Sequence, residues 1–330
     1  MAYTDIDKPS DYFRVKIYNG DSGTGSAQTW DETDTNFGTN LFLWLKNRTS
    51  AQEHWLADSV RGTGKFLESN SSNAESSDGA SGLASFDTNG FTLNNSARTN
   101  RNTMVGWGWK KTATAGFDIV AYTGTGSSNA VSHSLSATPN MMIIKNRDDS
   151  DSWYVWHQGL GAVATNYIVL DTTGAASSVD NGIIALSSSN FTVNTRGDVN
   201  ENNMKYIAYC FAEKKGYSKF GSYSSNSNAD GPFVYLGFKP AFLIVKCTTA
   251  AEGWAIMDST REPTNDVSFA TLSANTSGSE GSLVIDFLSN GFKPRQVSGQ
   301  INKSGSHSYI YMAFAENPLV TSTGVPATAR

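Results

Sequence analysis

Apolar residues in this chain come in short runs rich in aromatic and β-branched types, bounded by clusters of Gly, Asn, Ser and Thr. Runs such as Lys205-Tyr-Ile-Ala-Tyr-Cys-Phe211 and Ser308-Tyr-Ile-Tyr-Met-Ala-Phe-Ala315 have the length and composition of strands. Val105-Gly-Trp-Gly-Trp109 alternates strictly, with both rings on one face and both glycines on the other. No window sustains a 3.6-residue period over ten or more residues, so helices are not expected. Asn89-Gly90 and Asn290-Gly291 read as hairpin turns, because both residue types tolerate the positive φ that tight turns need.

The pattern repeats. A run ending in lysine occurs as Leu41-Phe-Leu-Trp-Leu-Lys46, Met141-Met-Ile-Ile-Lys145 and Phe242-Leu-Ile-Val-Lys246, with the lysines 99 and 101 residues apart. Tryptophans follow at Trp55, Trp153 and Trp254, and are expected at equivalent core places. A turn landmark comes next: Phe86-Asp-Thr-Asn-Gly-Phe91, Leu186-Ser-Ser-Ser-Asn-Phe191 and Phe287-Leu-Ser-Asn-Gly-Phe292. Closing runs start at Met104, Tyr206 and Tyr309, and opening landmarks at Tyr18, Tyr122 and Phe220. Four landmarks in one order, three times, predict a triplicated unit.

The expected organisation is an N-terminal arm (1–11), units at 12–111, 116–215 and 216–316, and a tail (317–330). A unit of about 100 residues with about seven strands has the size of a two-sheet sandwich, jelly-roll or lectin-like. The expected fold is therefore all-β, three tandem sandwiches rather than a barrel or propeller, packed through short linkers and building reach.

Composition explains the loops and excludes some functions. Ser, Thr, Asn and Gly supply 131 of 330 residues, the turn inventory of a sandwich written three times. Charged residues are 17% and the formal net charge is −5, which lacks the basic footprint of a nucleic-acid binder. The longest apolar run, Ala241-Phe-Leu-Ile-Val245, is too short to span a bilayer, and residues 1–9 do not read as a Sec signal. Cys210 and Cys247 lie in strand-like runs and are expected buried and unpaired.

No catalytic constellation is legible. His54, His133, His157 and His307 have no ligand spacing. Asp148, Asp149 and Asp151 gather three carboxylates in one loop, a candidate Ca²⁺ site weighed against a solvated hairpin tip. Glu213 and Glu316 fall in different units, with Lys110 read as their counterpart in the first, so a glycosidase pair is disfavoured. Asp87 and Asp286 are expected to anchor their turns. Trp30, Trp44 and Trp156 are unit-specific, and three readings stay open for them: core, protein interface, or an exposed platform for sugars.

The opening Met1-Ala-Tyr-Thr-Asp-Ile-Asp-Lys-Pro-Ser-Asp-Tyr-Phe13, the segment Asp58-Ser-Val-Arg-Gly62, and the ending Ala315-Glu-Asn-Pro-Leu-Val-Thr-Ser-Thr-Gly-Val-Pro-Ala-Thr-Ala-Arg330 resemble repeated β-domain proteins of tailed phages of marine and freshwater bacteria. The resemblance covers essentially the whole chain. It implies a non-enzymatic virion structural protein, a tail fibre, appendage or capsid decoration, assembled in the host cytoplasm and carried on the particle. Asp58-Ser-Val-Arg61 becomes Asp258-Ser-Thr-Arg261 in the third unit and His157-Gln-Gly-Leu160 in the second, which argues against a shared ligand site there. Expected partners are other virion proteins, docked through 1–13 or 317–330, and a homotrimer stays open. The alternative is a lectin-like module recognising host surface glycans through loops such as 19–36 and 222–231. A depolymerase is the third and least favoured reading.

Overall fold

A computed structural model describes residues 3–32, 37–178, 181–266 and 268–326. The outer residues of the arm and tail, and residues 33–36 of the candidate loop 19–36, lie outside the described residues. The fold is all-β, with twenty-five short strands among the described residues and antiparallel pairing throughout the ladders.

Strand order recurs along the chain. In the first sector, Phe13–Asp21, Arg101–Lys110, Leu41–Asn47 and Trp55–Asp58 form one sheet in that order. In the second sector, the same positions are held by Phe117–Thr123, Lys205–Phe211, Met141–Asn146 and Tyr154–His157. In the third they are Ser218–Ser224, Ser308–Pro318, Phe238–Cys247 and Ala255–Asp258. We call these the opening, closing, lysine and fourth strands. Each sector adds a three-stranded sheet containing the turn landmark, where Phe86, Leu186 and Phe287 face Phe91, Phe191 and Phe292.

The lysine strands are buried on both faces, and the two faces serve different cores. Leu43 and Leu45 pack with Leu83, Phe91 and Leu93 inside the first sandwich. Their neighbours Phe42 and Trp44 join Met141, Ile143, Phe242 and Ile244 in one core shared by all three large sheets. The expectation of units that build reach is therefore corrected: the large sheets surround a common centre. Each large sheet hides one face against its own small sheet and the other against its neighbours, which is why its strands read as continuous apolar runs.

The ring closes through equivalent backbone bonds. Glu75 N donates to Arg147 O (2.8 Å), Ala176 N to Thr248 O (2.9 Å), and Glu280 N to Arg48 O (2.8 Å). Each bond joins a sector to the next, and the last returns to the first.

Register corrects three sequence equivalences. Trp153 and Trp254 align with His54, not Trp55, because Trp55 pairs with Leu45 as Tyr154 does with Ile144. A one-residue offset in a strand reverses the face, so Trp55 enters its own sandwich while Trp153 and Trp254 enter the shared core. Tyr223, not Phe220, matches Tyr18 and Tyr122; their hydroxyls donate to Ile301 O, Thr99 O and Val199 O, each at 2.6 Å. Lys111, not Lys110, is the counterpart of Glu213 and Glu316, since Lys110 pairs like Ala212 and Ala315. Both cysteines are free and buried.

The arm belongs to the fold. Thr4 is buried, its hydroxyl donates to Lys215 O (3.1 Å), and Ile6 enters the shared core. The closing strand runs to Pro318, two residues into the expected tail. Ser322 N then donates to Asp7 (2.6 Å), so arm and tail meet.

Candidate functional site

The segment singled out by the sequence, Asp58-Ser-Val-Arg61, is an interlock between sectors. One Asp58 oxygen accepts from Val60 N (3.1 Å) and Arg61 N (2.9 Å), and the other accepts from Arg61 Nε. Tyr209 of the second sector donates its hydroxyl to the same carboxylate (2.8 Å). Asp258 and Arg261 repeat the arrangement, with Trp107 of the first sector donating its indole N–H (3.0 Å). Both pairs have no side-chain exposure. Burial disfavours the Arg61 charge, but Asp58, Tyr209 and Glu75 more than compensate and hold its pKa above the usual value.

At the remaining seam the chemistry changes as a set. His157 and Leu160 replace Asp and Arg, and Met312 stands where Tyr209 and Trp107 donate. Burial depresses His157 to about 4, so its ring is neutral near pH 7. Gly159 N donates to Nδ1 (2.9 Å), which leaves Nε2–H to donate to Tyr311 O (3.0 Å). A carboxylate is present where a neighbour supplies a donor, and absent where the neighbour is a thioether.

The shared-core tryptophans clamp the same seams. Trp153 Nε1 donates to Glu68 O (2.9 Å) and Trp254 Nε1 to Val169 O (2.9 Å). In the first sector, burial, with Lys46 nearby, lowers His54 to about 3. Its Nδ1 accepts from Trp44 Nε1 (2.8 Å), and its Nε2–H donates to Ser273 O (3.1 Å). Beyond them, Lys46, Lys145 and Lys246 are fully buried, their ammonium groups donating to backbone carbonyls. Burial pulls all three down to about 8.

A third set of seam positions lies at the end where arm and tail emerge. Asp118 of the second sector pairs with Lys111 of the first (3.3 Å). The equivalent positions hold Arg14 with Glu316 and Lys219 with Glu213, opposite charges with the signs exchanged once; each couple lines one cleft, with Glu316 paired to Lys239 (2.6 Å) and Glu213 accepting from Phe220 N (3.3 Å). Arg14 and Glu316 line a cleft of about 350 Å³ with Trp30, Asp31, Ser259 and Thr260. Lys219 and Glu213 line one of about 240 Å³ with Tyr3, Tyr235, Leu319 and Val320.

The sequence-nominated residues fall in different places. Trp30 is 7% exposed, Trp44 1% and Trp156 5%, so none is an exposed stacking platform. Trp30 lines the first cleft, Trp44 lies in the shared core, and Trp156 in the second sandwich. The carboxylates of Asp148 and Asp151 accept from Lys205 N (2.9 Å) and Asn146 Nδ2 (2.7 Å), and Asp149 accepts from Ser150 N (2.7 Å). Among the described residues, no group of three or more His, Cys, Asp or Glu is placed to hold a metal ion. Asp87 accepts from the Ser85 and Thr92 hydroxyls, and Asp286 pairs with Arg295 (3.4 Å), bracing hairpin sides rather than turn amides. Sequence reading missed the buried lysines and the seam charge pairs. The lysine-ended runs were the available signal, since a cation closing a doubly buried strand needs acceptors from elsewhere.

No helix among the described residues is long and apolar enough to cross a membrane. Neither the curated proteins nor the solved structures contain a match to this chain. One family model spans all three sectors, matching residues 8–318, and the chain therefore belongs to the DUF7483 family, a domain of unknown function.

Proposed function

We propose that the chain is a triplicated β-sandwich unit that serves as a non-enzymatic structural protein on the exterior of a bacteriophage particle, as a tail-fibre, appendage or head-decoration component contributing to host attachment. The observation that carries this reading is the polarity of the ring. Arm and tail meet at one end, beside the two seam clefts and the exposed side chains of Tyr3, Tyr235 and Val325. At the other end, the loops after Asn47, Asn146 and Cys247 sit on equivalent strands yet differ in sequence. Loops that vary on a constant scaffold are where recognition resides, and the opposite end suits mounting.

The arm does not serve as a free tether, because Thr4 and Ile6 are buried. Mounting falls instead to the chain-end face as a surface, with residues 322–326 as an exposed strip on it. The buried seam pairs and the shared core give a rigid body without disulfides, as an exterior protein folded in a reducing cytoplasm requires.

The test is proteomic and positional. Density-purified particles of the phage encoding this chain should contain it, and gold-labelled antibody against the recombinant chain should decorate intact particles. Its absence from purified particles, or labelling only after particles are broken open, would overturn the reading.

A further inference from the structure

We propose that the free chain pairs with a second copy of itself, through an apolar strip on the chain-end face beside the seam between the second and third sectors. Six large apolar side chains are exposed among the described residues. Four of them belong to this strip: Tyr3 (64%), Phe233 (48%), Tyr235 (52%) and Val325 (59%). Tyr3 and Tyr235 line the second seam cleft with Leu319 and Val320. Phe233 lies two residues before Tyr235, at the edge strand Val234–Tyr235, so both rings point outward while Val234 points in. Val325 is held beside Val320 by a small turn, in which Thr321 N donates to Val325 O (2.8 Å) and Val320 bridges Pro326.

The scaffold does not require these rings, as the other sectors show. Val234 pairs with Phe292 as Val131 does with Phe191 and Gln28 with Phe91. Phe233 and Tyr235 therefore stand where the second sector has Ala130 and Ser132, and the first Ala27 and Thr29. Small side chains fill these outward positions twice, and large exposed aromatics fill them once. Apolar exposure gathered in this way marks a protein contact, and aromatic side chains are its usual anchors.

The cleft suits a side chain rather than a small molecule. Its volume of about 240 Å³ falls below the usual small-ligand range. Its polar groups are engaged within the chain: Lys219 Nζ donates to Tyr235 O (3.1 Å), Glu213 accepts from Phe220 N (3.3 Å), and Ser218 Oγ accepts from Lys214 N (3.0 Å). Lys219 also guards the strand edge, which leaves contact to side chains rather than to strand addition. The charges point to a second copy as the partner. In the arm, Asp5, Asp7 and Asp11 outnumber Lys8, whereas in the adjoining linker Lys214, Lys215 and Lys219 outnumber Glu213. About a two-fold axis, the acidic arm of each copy meets the basic linker of its mate, and Tyr3 is the anchor each offers to the other's cleft. Where the same face mounts on a particle, the mount takes the place of the mate, so the pairing is that of the free chain and is tested without the particle.

Sedimentation equilibrium of the full-length protein from about 1 to 300 µM decides. The expected result is a reversible monomer–dimer equilibrium with Kd below about 100 µM. Phe233→Ala with Tyr235→Ser, the residues of the second sector, should weaken it about tenfold or more, and so should Tyr3→Ser, with Tm unchanged. Should the double variant fail to fold, Tyr3→Ser decides alone. A monomer throughout, which would leave the strip to some other protein, a trimer, or a dimer that the folded variants do not weaken would each overturn the proposal.

Discussion

Replacing Arg61 by leucine probes the seam between the first two sectors. The side chain is fully buried and gives Asp58 a charged partner, while also donating to Leu56 O (2.9 Å) and pairing with Glu75 (3.2 Å). Its loss leaves the Asp58 carboxylate buried with only the Val60 and residue-61 amides and the Tyr209 hydroxyl. Breaking a buried pair from one side costs about 3–5 kcal/mol. With an unfolding entropy of about 2.1 cal/mol/K per residue, a chain of 330 residues carries about 0.7 kcal/mol/K, so Tm should fall by about 4–7 °C. The molecule also contains the remedy, in His157, Leu160 and Met312 at the equivalent seam. The triple variant Asp58→His, Arg61→Leu, Tyr209→Met should recover about half of the loss or more, since replacing a whole buried network is far milder than halving it. Differential scanning calorimetry of the three proteins decides. A single-variant shift under about 1 °C, or a triple variant as unstable as the single, would refute the interlock.

Ile6→Ala should destabilise the chain by about 2–5 kcal/mol in urea titrations, because this arm residue is 4% exposed in the shared core; no change would mean the arm is free. Gly82→Ala should cost about 1–3 kcal/mol by crowding Trp55, and relief of that cost by Trp55→Phe would locate the clash. Tm should rise with pH from about 8 towards 9: Lys46, Lys145 and Lys246 lose their protons near 8 when folded but near 10.4 when unfolded, so these groups bind more protons in the unfolded state in that window. The buried Cys210 thiol, shifted upward, opposes this, and so do the hydroxyls of Tyr18, Tyr122, Tyr206, Tyr209, Tyr217, Tyr223, Tyr309 and Tyr311, which burial also raises; because unfolded tyrosines titrate near 10, the rise levels off above about pH 9, and Lys46→Met should flatten it. On the acid side, His54 and His157 are lowered to about 3 and about 4, so the unfolded state again binds more protons below about pH 6.5, and Tm should fall as pH drops towards 4.

Strand positions were legible because Gly, Asn and Ser punctuate short aromatic runs, and the three turn landmarks align as read. The shared core was not legible. In Leu41-Phe-Leu-Trp-Leu45 both faces are apolar, so alternation cannot say which face meets the small sheet and which meets the other sectors. Aligning Trp55 with Trp153 and Trp254 put chemical identity ahead of register, and one residue was enough to reverse the face. The clefts were hidden for a different reason. Arg14 and Glu316 are remote in sequence, and only closure of the ring brings them to one opening.

The central claim is that three sheets enclose one core in a single compact body. Small-angle X-ray scattering of the purified monomer tests it directly. A compact chain of 330 residues should give a radius of gyration of about 20 Å, whereas three separate 100-residue bodies in a row would give about 30 Å. A value near 20 Å with a single-peaked distance distribution is the result this architecture predicts; an extended profile near 30 Å would contradict it.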